Sequence, residues 1–391
     1  MTQSSDAIVP LGAMRFNSDS QKLEYWMGSA WMQIQTFSPN LDGGARAIFM
    51  GGGQGSSPYN SDVISAFNMA SGGTAIDFGN TTEARRNQGQ FGSAIRGFCI
   101  GGANPSVSDR IDFVTFSTTG NATDFGNLTV SRRAVAGGAN ATRGIGCGGN
   151  TPSGTNTIDY ITMASSSNAV DFGDATHTQS NDSAFASPTR MIVGGNGPTG
   201  NCQFITIATT GNSEDFAEVR RMDGNDSNVR IEVPAAGSNA TRGLFAGGEY
   251  QPSGGANNKL IIYTTIATLS EFSHFGDLTA NKAAPGGAAS KTRFVSAGGG
   301  TPSYTTQIES VQIATLGDAV DFGDLTTVRM MCGCAASSTR LVASNGRTDG
   351  PGFVNTIDYA QIMTTGNFVD FGDSTVGSDM RPGASNGHGG L

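Results

Sequence analysis

The chain has 391 residues, 57 of them glycine, with only 14% charged residues, a net charge of −9 and a pI near 4.8. That balance argues against a nucleic-acid surface, which concentrates Lys and Arg on one face, and no apolar run approaches the roughly 20 residues that a bilayer span requires. Glycine-rich, charge-poor chains can be disordered, but here Ile, Tyr, Phe and Val recur at ordered spacing, so the glycines are read as structural.

Residues 1–6 lack the basic start and apolar stretch of a secretion signal, which gives the expectation of synthesis and folding in a cytoplasm. Met14 and Phe16 alternate before a polar turn at Asn17, Ser18, Asp19 and Ser20. Leu23 and Tyr25 alternate after it, and a second turn at Gly28 and Ser29 precedes Trp31. This pattern predicts a small N-terminal β module over residues 1–40, serving attachment or assembly. Both tryptophans of the protein, Trp26 and Trp31, fall inside it, and so small a sheet cannot bury them alone. Tyr25, Trp26 and Trp31 are therefore the candidate partner-binding residues. Packing of the tryptophans against the protein's own repeats is the plain alternative.

From residue 41 onward one unit repeats. An Asp-Phe-Gly-like corner places an aromatic at Phe78, Phe125, Phe172, Phe216, Phe275, Phe322 and Phe371, in steps of 47, 47, 44, 59, 47 and 49 residues. A second, independent ruler is the arginine that opens a strand at Arg46, Arg96, Arg143, Arg190, Arg242, Arg293 and Arg340. Both count seven, with extra residues around 222–232 accounting for the long step. A period of about 45 to 50 residues holding several short β-branched or aromatic runs reads as a propeller blade. In the third unit the expected strands are residues 144–149, 157–163 and 170–172, with a fourth at 183–186. Ile158 and Tyr160 are expected on one face and Ile161 and Met163 on the other, since blades are covered on both sides. The small residues of the Gly-Gly strand are expected near a crowded central axis. Residues 380–387 match the strand around Arg132 and Arg133 that the first unit lacks, which predicts that the end of the chain completes the first blade and removes a free edge.

Recurrence also weighs the chemistry. Asp-Phe-Gly at nearly every corner defeats a kinase reading, and no phosphate loop or His-Arg-Asp loop accompanies it. The corner Asp is expected to bond backbone, or an arginine such as Arg143 or Arg190 across a blade boundary. His177, His274 and His388 are few and separated, so surface or turn roles are expected. Carboxylates are spread by the repeat, without the unique pair a glycosidase needs. Cys332 and Cys334 lack the second pair or histidine of a zinc site, and five cysteines imply no disulfide framework. Asn140-Ala141-Thr142 and Asn239-Ala240-Thr241 fit the glycosylation pattern but read as turn formers. No catalytic, cofactor-binding or metal residue is assigned.

An apolar strand ending in Gly-Gly, an Ile-Asp-Tyr strand, an aromatic corner and an Arg before a small-residue strand together resemble a degenerate kelch repeat, with Phe172 and its equivalents where kelch units carry Trp. The phrase from Thr118 to Thr129 resembles repeats in structural proteins of tailed bacteriophages, notably marine ones. The segment Gly12-Ala13-Met14-Arg15-Phe16-Asn17, with Glu24, Tyr25 and Trp31, is similar to a module of phage fibre and virion proteins. Together these cover almost the whole chain. The resulting expectation is an all-β, seven-bladed, kelch-like β-propeller over residues 41–391, closed by its C-terminal strand and preceded by the β module of residues 1–40. The resemblance implies a non-enzymatic virion component: a fibre, tail-associated or capsid-decoration protein in assembly or host adhesion. It would be homo-oligomeric in the particle and bound to other virion proteins through the module. A glycan-binding, lectin-like propeller is the alternative, using loops around residues 248–257 or 345–352 on host-surface sugars. A kelch-type oxidase ranks lower, because it needs Tyr and His copper ligands that three scattered histidines supply poorly.

Overall fold

A computed structural model describes residues 9–17, 22–33, 46–54, 59–69, 73–180, 182–194, 200–219, 230–251, 256–268, 271–301, 303–349, 352–379 and 383–385. The extra residues at 222–229, the tips of both proposed sugar-binding loops, His388 and most of the 380–387 match lie outside them. The chain divides into two compact units, Met1–Leu41 and Asp42–Leu391.

The smaller unit is a three-stranded antiparallel sheet of Met14–Asn17, Lys22–Trp26 and Trp31–Gln33, ordered as in the sequence. Its second turn places Gly28 at φ +97°, where a side chain would be strained. Met14 pairs with Tyr25, Tyr25 with Met32, and Phe16 with Leu23. Paired residues share a face, so these five form one side of the sheet. Arg15, Glu24, Trp26 and Trp31 form the other.

The larger unit is all-β and β-propeller-like, with no helix among the described residues. One sheet shows the plan: Ala136–Ala139, Arg143–Cys147, Ser153–Thr162 and Val170–Gln179 pair antiparallel in that order. The same order recurs in sheets that begin with Gly89–Gly92, Ser183–Ala186, Ala235–Ser238, Gly286–Ala289 and Gly333–Ala336. One further sheet takes its first strand, Gly383–Ser385, from the end of the chain, where it pairs with Arg46–Met50. These first strands contact one another in chain order, and Gly383–Ser385 contacts both Gly333–Ala336 and Gly89–Gly92, so the round closes.

Two expectations about strand placement are corrected. Residues 183–186 do not finish the sheet of Arg143. They pair with Arg190–Gly194 and open the next sheet, because Val170–Gln179 ends at the outer edge and the chain must cross to the centre before another sheet can start. The innermost strand is therefore Ala136–Ala139, not the Arg143–Cys147 strand that leads into Gly-Gly. Space explains its composition: a Cβ on Gly137 would stand 2.6 Å from the Gln90 carbonyl oxygen of the adjoining inner strand.

The core lies between sheets. Ile158 and Tyr160 join Met191, Val193 and Ile205 of the following sheet. Ile161 and Met163, on the opposite face, join Phe91, Phe98 and Ile111 of the preceding one. Each large apolar side chain so buried contributes roughly 1.5–3 kcal/mol, and every sheet needs a neighbour on each side to gain it.

Candidate functional site

Three sets of polar contacts join neighbouring sheets. The strand-opening arginines reach across each boundary to a backbone carbonyl: Arg96 Nη1 to Met163 at 2.7 Å, Arg190 to Ile266 at 2.9 Å, Arg242 to Ile313 at 2.8 Å and Arg293 to Ile362 at 2.9 Å. Arg143 donates to both Ile207 and Ala208 while its guanidinium lies 4.8 Å from the Tyr160 ring centre. Arg340 donates to the carbonyl of Met69, which carries the series back to the first sheet. The corner supplies the second set. Asp171 Oδ1 accepts from the Gly173 N–H at 3.0 Å, while the Gly211 N–H donates to the Phe172 carbonyl at 2.7 Å. The corner Asp therefore bonds its own turn. The alternative pairing with Arg143 or Arg190 is not formed, since those guanidiniums are held by carbonyls and rings.

The third set is buried. Arg85 meets Asp112 at 2.7 Å, Arg132 meets Asp159 at 2.9 Å, Lys282 meets Glu309 at 2.6 Å and Arg329 meets Asp358 at 2.6 Å, all essentially without solvent exposure. The carboxylate is the Asp or Glu of the Ile-Asp-Tyr strand; Arg85, Arg132 and Arg329 come from the loop entering that sheet, and Lys282 ends the strand Ser273–Lys282 of the preceding one. In the three Asp pairs a threonine hydroxyl from the same loop caps the acid, as Thr326 Oγ1 does to Asp358 Oδ1 at 2.6 Å; Glu309 accepts from the Thr279 N–H instead. In one other sheet the pair changes character while the contact persists, Gln203 Nε2 donating to Gln179 Oε1 at 2.7 Å; in the sheet of Arg46 the threonine contact persists, Ser65 and Thr375 sharing a hydrogen bond at 3.0 Å. At the remaining boundary Ile231 and Ile262 occupy one apolar cluster. Burial lowers the Lys282 pKa, and the Glu309 carboxylate opposes that shift.

Inside the round of inner strands lie two adjoining cavities of about 400 and 260 Å3, which share Ala184, Ala236, Cys334 and Gly383. The residues that lead into five inner strands, Asn87, Ala134, Val233, Ala284 and Met331, line the larger cavity with φ between +44° and +56°. That backbone region is costly for residues other than glycine, most of all for β-branched valine. Hydrogen bonds between successive entries hold it, from the Ala134 N–H to the Asn87 carbonyl at 2.6 Å and from Met331 to Ala284 at 3.0 Å. Cys332 and Cys334 face the same space. All five cysteines are unbridged. Burial pushes the Cys147 thiol up to about 12, whereas the hydrogen bond from Cys334 holds Cys332 down to about 7 against its own burial.

Of the three candidate contact residues, the structure puts Tyr25 on one face of the small sheet and Trp26 and Trp31 on the other. The tryptophans are half-buried, their ring centres 5.4 Å apart, and the Arg15 guanidinium lies 4.2 Å from the Trp31 ring while also bonding Glu24 at 2.9 Å. Tyr25 stands with Met14, Phe16, Leu23 and Met32, all exposed, Phe16 at 65%. Sequence reading singled out the large aromatics; the two-residue alternation of the sheet was the signal that would have grouped Met14, Phe16 and Met32 with Tyr25. His274 Nε2 lies 3.2 Å from Asp277 Oδ1 at an exposed corner, and Asn140 and Asn239 bond the backbone of their own turns.

No protein-family model matches this chain, and no curated protein does. Among solved structures, the one titled "Structure of YjhT" superposes with a TM-score of 0.55 at 11% sequence identity, over 74% of this chain and 98% of that one. A likeness at that identity shows the fold alone, and it agrees with the β-propeller-like arrangement of the larger unit.

Proposed function

We propose that this chain is a non-enzymatic structural protein of a tailed-phage virion, built as a seven-bladed, kelch-like propeller that a small β module fastens to its neighbours. The observation that carries the reading is the sheet face of Met14, Phe16, Leu23, Tyr25 and Met32, five apolar side chains left in water by a module with too few residues to cover them. Such a face is unfavourable in an isolated protein and natural in one that assembles. The propeller agrees with that role, because its recurring arginines and acids are engaged in joining one sheet to the next, as a component exposed outside a cell requires. The repeat phrase from Thr118 to Thr129 supplies the link to phage structural proteins. Partners on this reading are other virion proteins, with copies of the same chain beside it and host-surface glycans as a further contact of the outer loops.

Immunoelectron microscopy of purified particles with an antibody against residues 1–40 tests this. Label at a defined position on intact particles is expected, with loss of incorporation for the Phe16→Ser/Tyr25→Ser variant while the larger unit keeps its melting transition. Particles that form normally without the protein, or that never carry it, would sink the proposal.

A further inference from the structure

The thiols of Cys332 and Cys334 stand side by side on one wall of the space that the inner strands enclose, Cys332 Sγ lying 3.7 Å from the Ala297 carbonyl oxygen. Cys332 precedes the inner strand Gly333–Ala336, Cys334 lies within it, and both line the larger cavity. Cys332 is buried and Cys334 half-buried. Room for the pair comes from the adjoining inner strand, where a Cβ on Gly286 would stand 2.6 Å from either sulfur. We propose that Cys332 and Cys334 form a thiol–disulfide exchange site on the wall of the axial cavity, which closes to an intramolecular disulfide on meeting a low-molecular-weight disulfide such as oxidised glutathione.

The chemistry assigns the two sulfurs different parts. Cys332 accepts a hydrogen bond from Cys334, which lowers its pKa to about 7 and leaves a large share of it as thiolate at neutral pH; Cys334 is correspondingly raised well above the usual thiol range. Thiolates, not thiols, attack disulfides. Cys332 Sγ attacks one sulfur of the oxidised glutathione, the S–S bond breaks, and one glutathione leaves as thiolate. Cys334 then gives up its proton and attacks the Cys332 sulfur of the mixed disulfide, releasing the second glutathione thiolate. The two protons of the protein thiols finish on the two glutathiones, so the protein pair is oxidised by two electrons and the small disulfide reduced by two. Cys99, Cys147 and Cys202 are buried away from this path, and the high pKa of Cys147 keeps it a thiol.

The test uses the full chain incubated with oxidised glutathione at neutral pH, followed by tryptic mass analysis and a thiol count after denaturation. The expected result is that the peptide of residues 330–340, which carries both cysteines, becomes lighter by two hydrogens, and that three thiols remain of five. Cys334→Ser should instead retain a glutathione adduct on Cys332. Cys332→Ser should react about tenfold more slowly, its remaining thiol being largely protonated. Gly286→Ala, which occupies the space of the sulfurs, should impede closure while a variant of comparable size away from the pair, Cys202→Ala, does not. Five thiols surviving in the native chain, or a reaction that stops at a mixed disulfide while Cys334 is present, would overturn the proposal.

Discussion

Asp358 accepts from Arg329 Nη2, from the Thr326 hydroxyl and from the Thr326 N–H, with no solvent in reach. Removing one member of such a pair leaves a buried charge uncompensated, whereas replacing both by apolar groups can be nearly neutral. This chain holds an instance of the second state, because Ile231 and Ile262 meet in one apolar cluster at the corresponding place of another sheet. Arg329→Met should therefore lower stability by about 3–5 kcal/mol in urea unfolding, and the Arg329→Met/Asp358→Leu double variant should regain most of it. A double variant no better than the single one would show that the pair does more than satisfy itself. Periodicity alone could not assign this role, since the corner Asp171 and the strand Asp159 recur with the same spacing. What separates them is burial, with Asp171 exposed and Asp159 at 1%. The partner position was harder still to read, because it runs through Arg, Gln, Lys and Ile from one boundary to another.

At the scale of the element, the corner glycine, replaced in the seven corners only at Ala217, shows why the motif recurs. Gly173 has φ +141°, and a Cβ there would stand 2.5 Å from the Gly211 backbone of the following sheet. The same proximity lets the Asp174 N–H donate to Asn212 Oδ1 at 2.9 Å. Gly173→Ala is expected to cost about 1–3 kcal/mol from its backbone conformation, with the clash added to it. A thermal-shift measurement checks this, and Gly120→Ala, at a similar φ but with open space around it, should show the conformational part alone. The aromatic and arginine rulers made the repeat legible because Phe172 and Arg143 each meet the next sheet through fixed backbone contacts, so neither tolerates drift. Strand order within a sheet was less legible. Ser183–Ala186 and Ala136–Ala139 are short runs of small residues with little alternation, and only their crowding at the axis marks them as first strands rather than last. The small module was legible as strands, while the division of its side chains between two faces needed the observed register.

At the scale of the whole molecule, a ring of sheets has one seam, and its strength governs whether the rest remains covered. Here the seam is Gly383–Ser385 on Arg46–Met50, reinforced by reciprocal backbone bonds between Gly53 and Asp379 at 3.2 and 3.0 Å. Deleting residues 380–391 removes the strand pairing and exposes two edges. At about 1 kcal/mol per lost backbone bond, the melting temperature should fall by several degrees. Asp379 brings a pH dependence to the same place. Burial raises its carboxyl pKa above the ordinary 3.8, and Arg347 and Arg86 offset only part of that shift. An acid held more tightly in its protonated form by the folded chain takes up a proton on folding at pH values between the ordinary and the raised pKa. Stability contributed by the group is thus greatest below the ordinary value and declines as pH rises through the folded one. Asp379→Asn, which keeps the shape and removes the charge, should melt higher than the native chain at pH 7, with the difference shrinking towards zero as the pH falls below about 4. If the variant instead melts lower at pH 7, the two arginines outweigh desolvation, and the seam is held by attraction between charges rather than by its backbone.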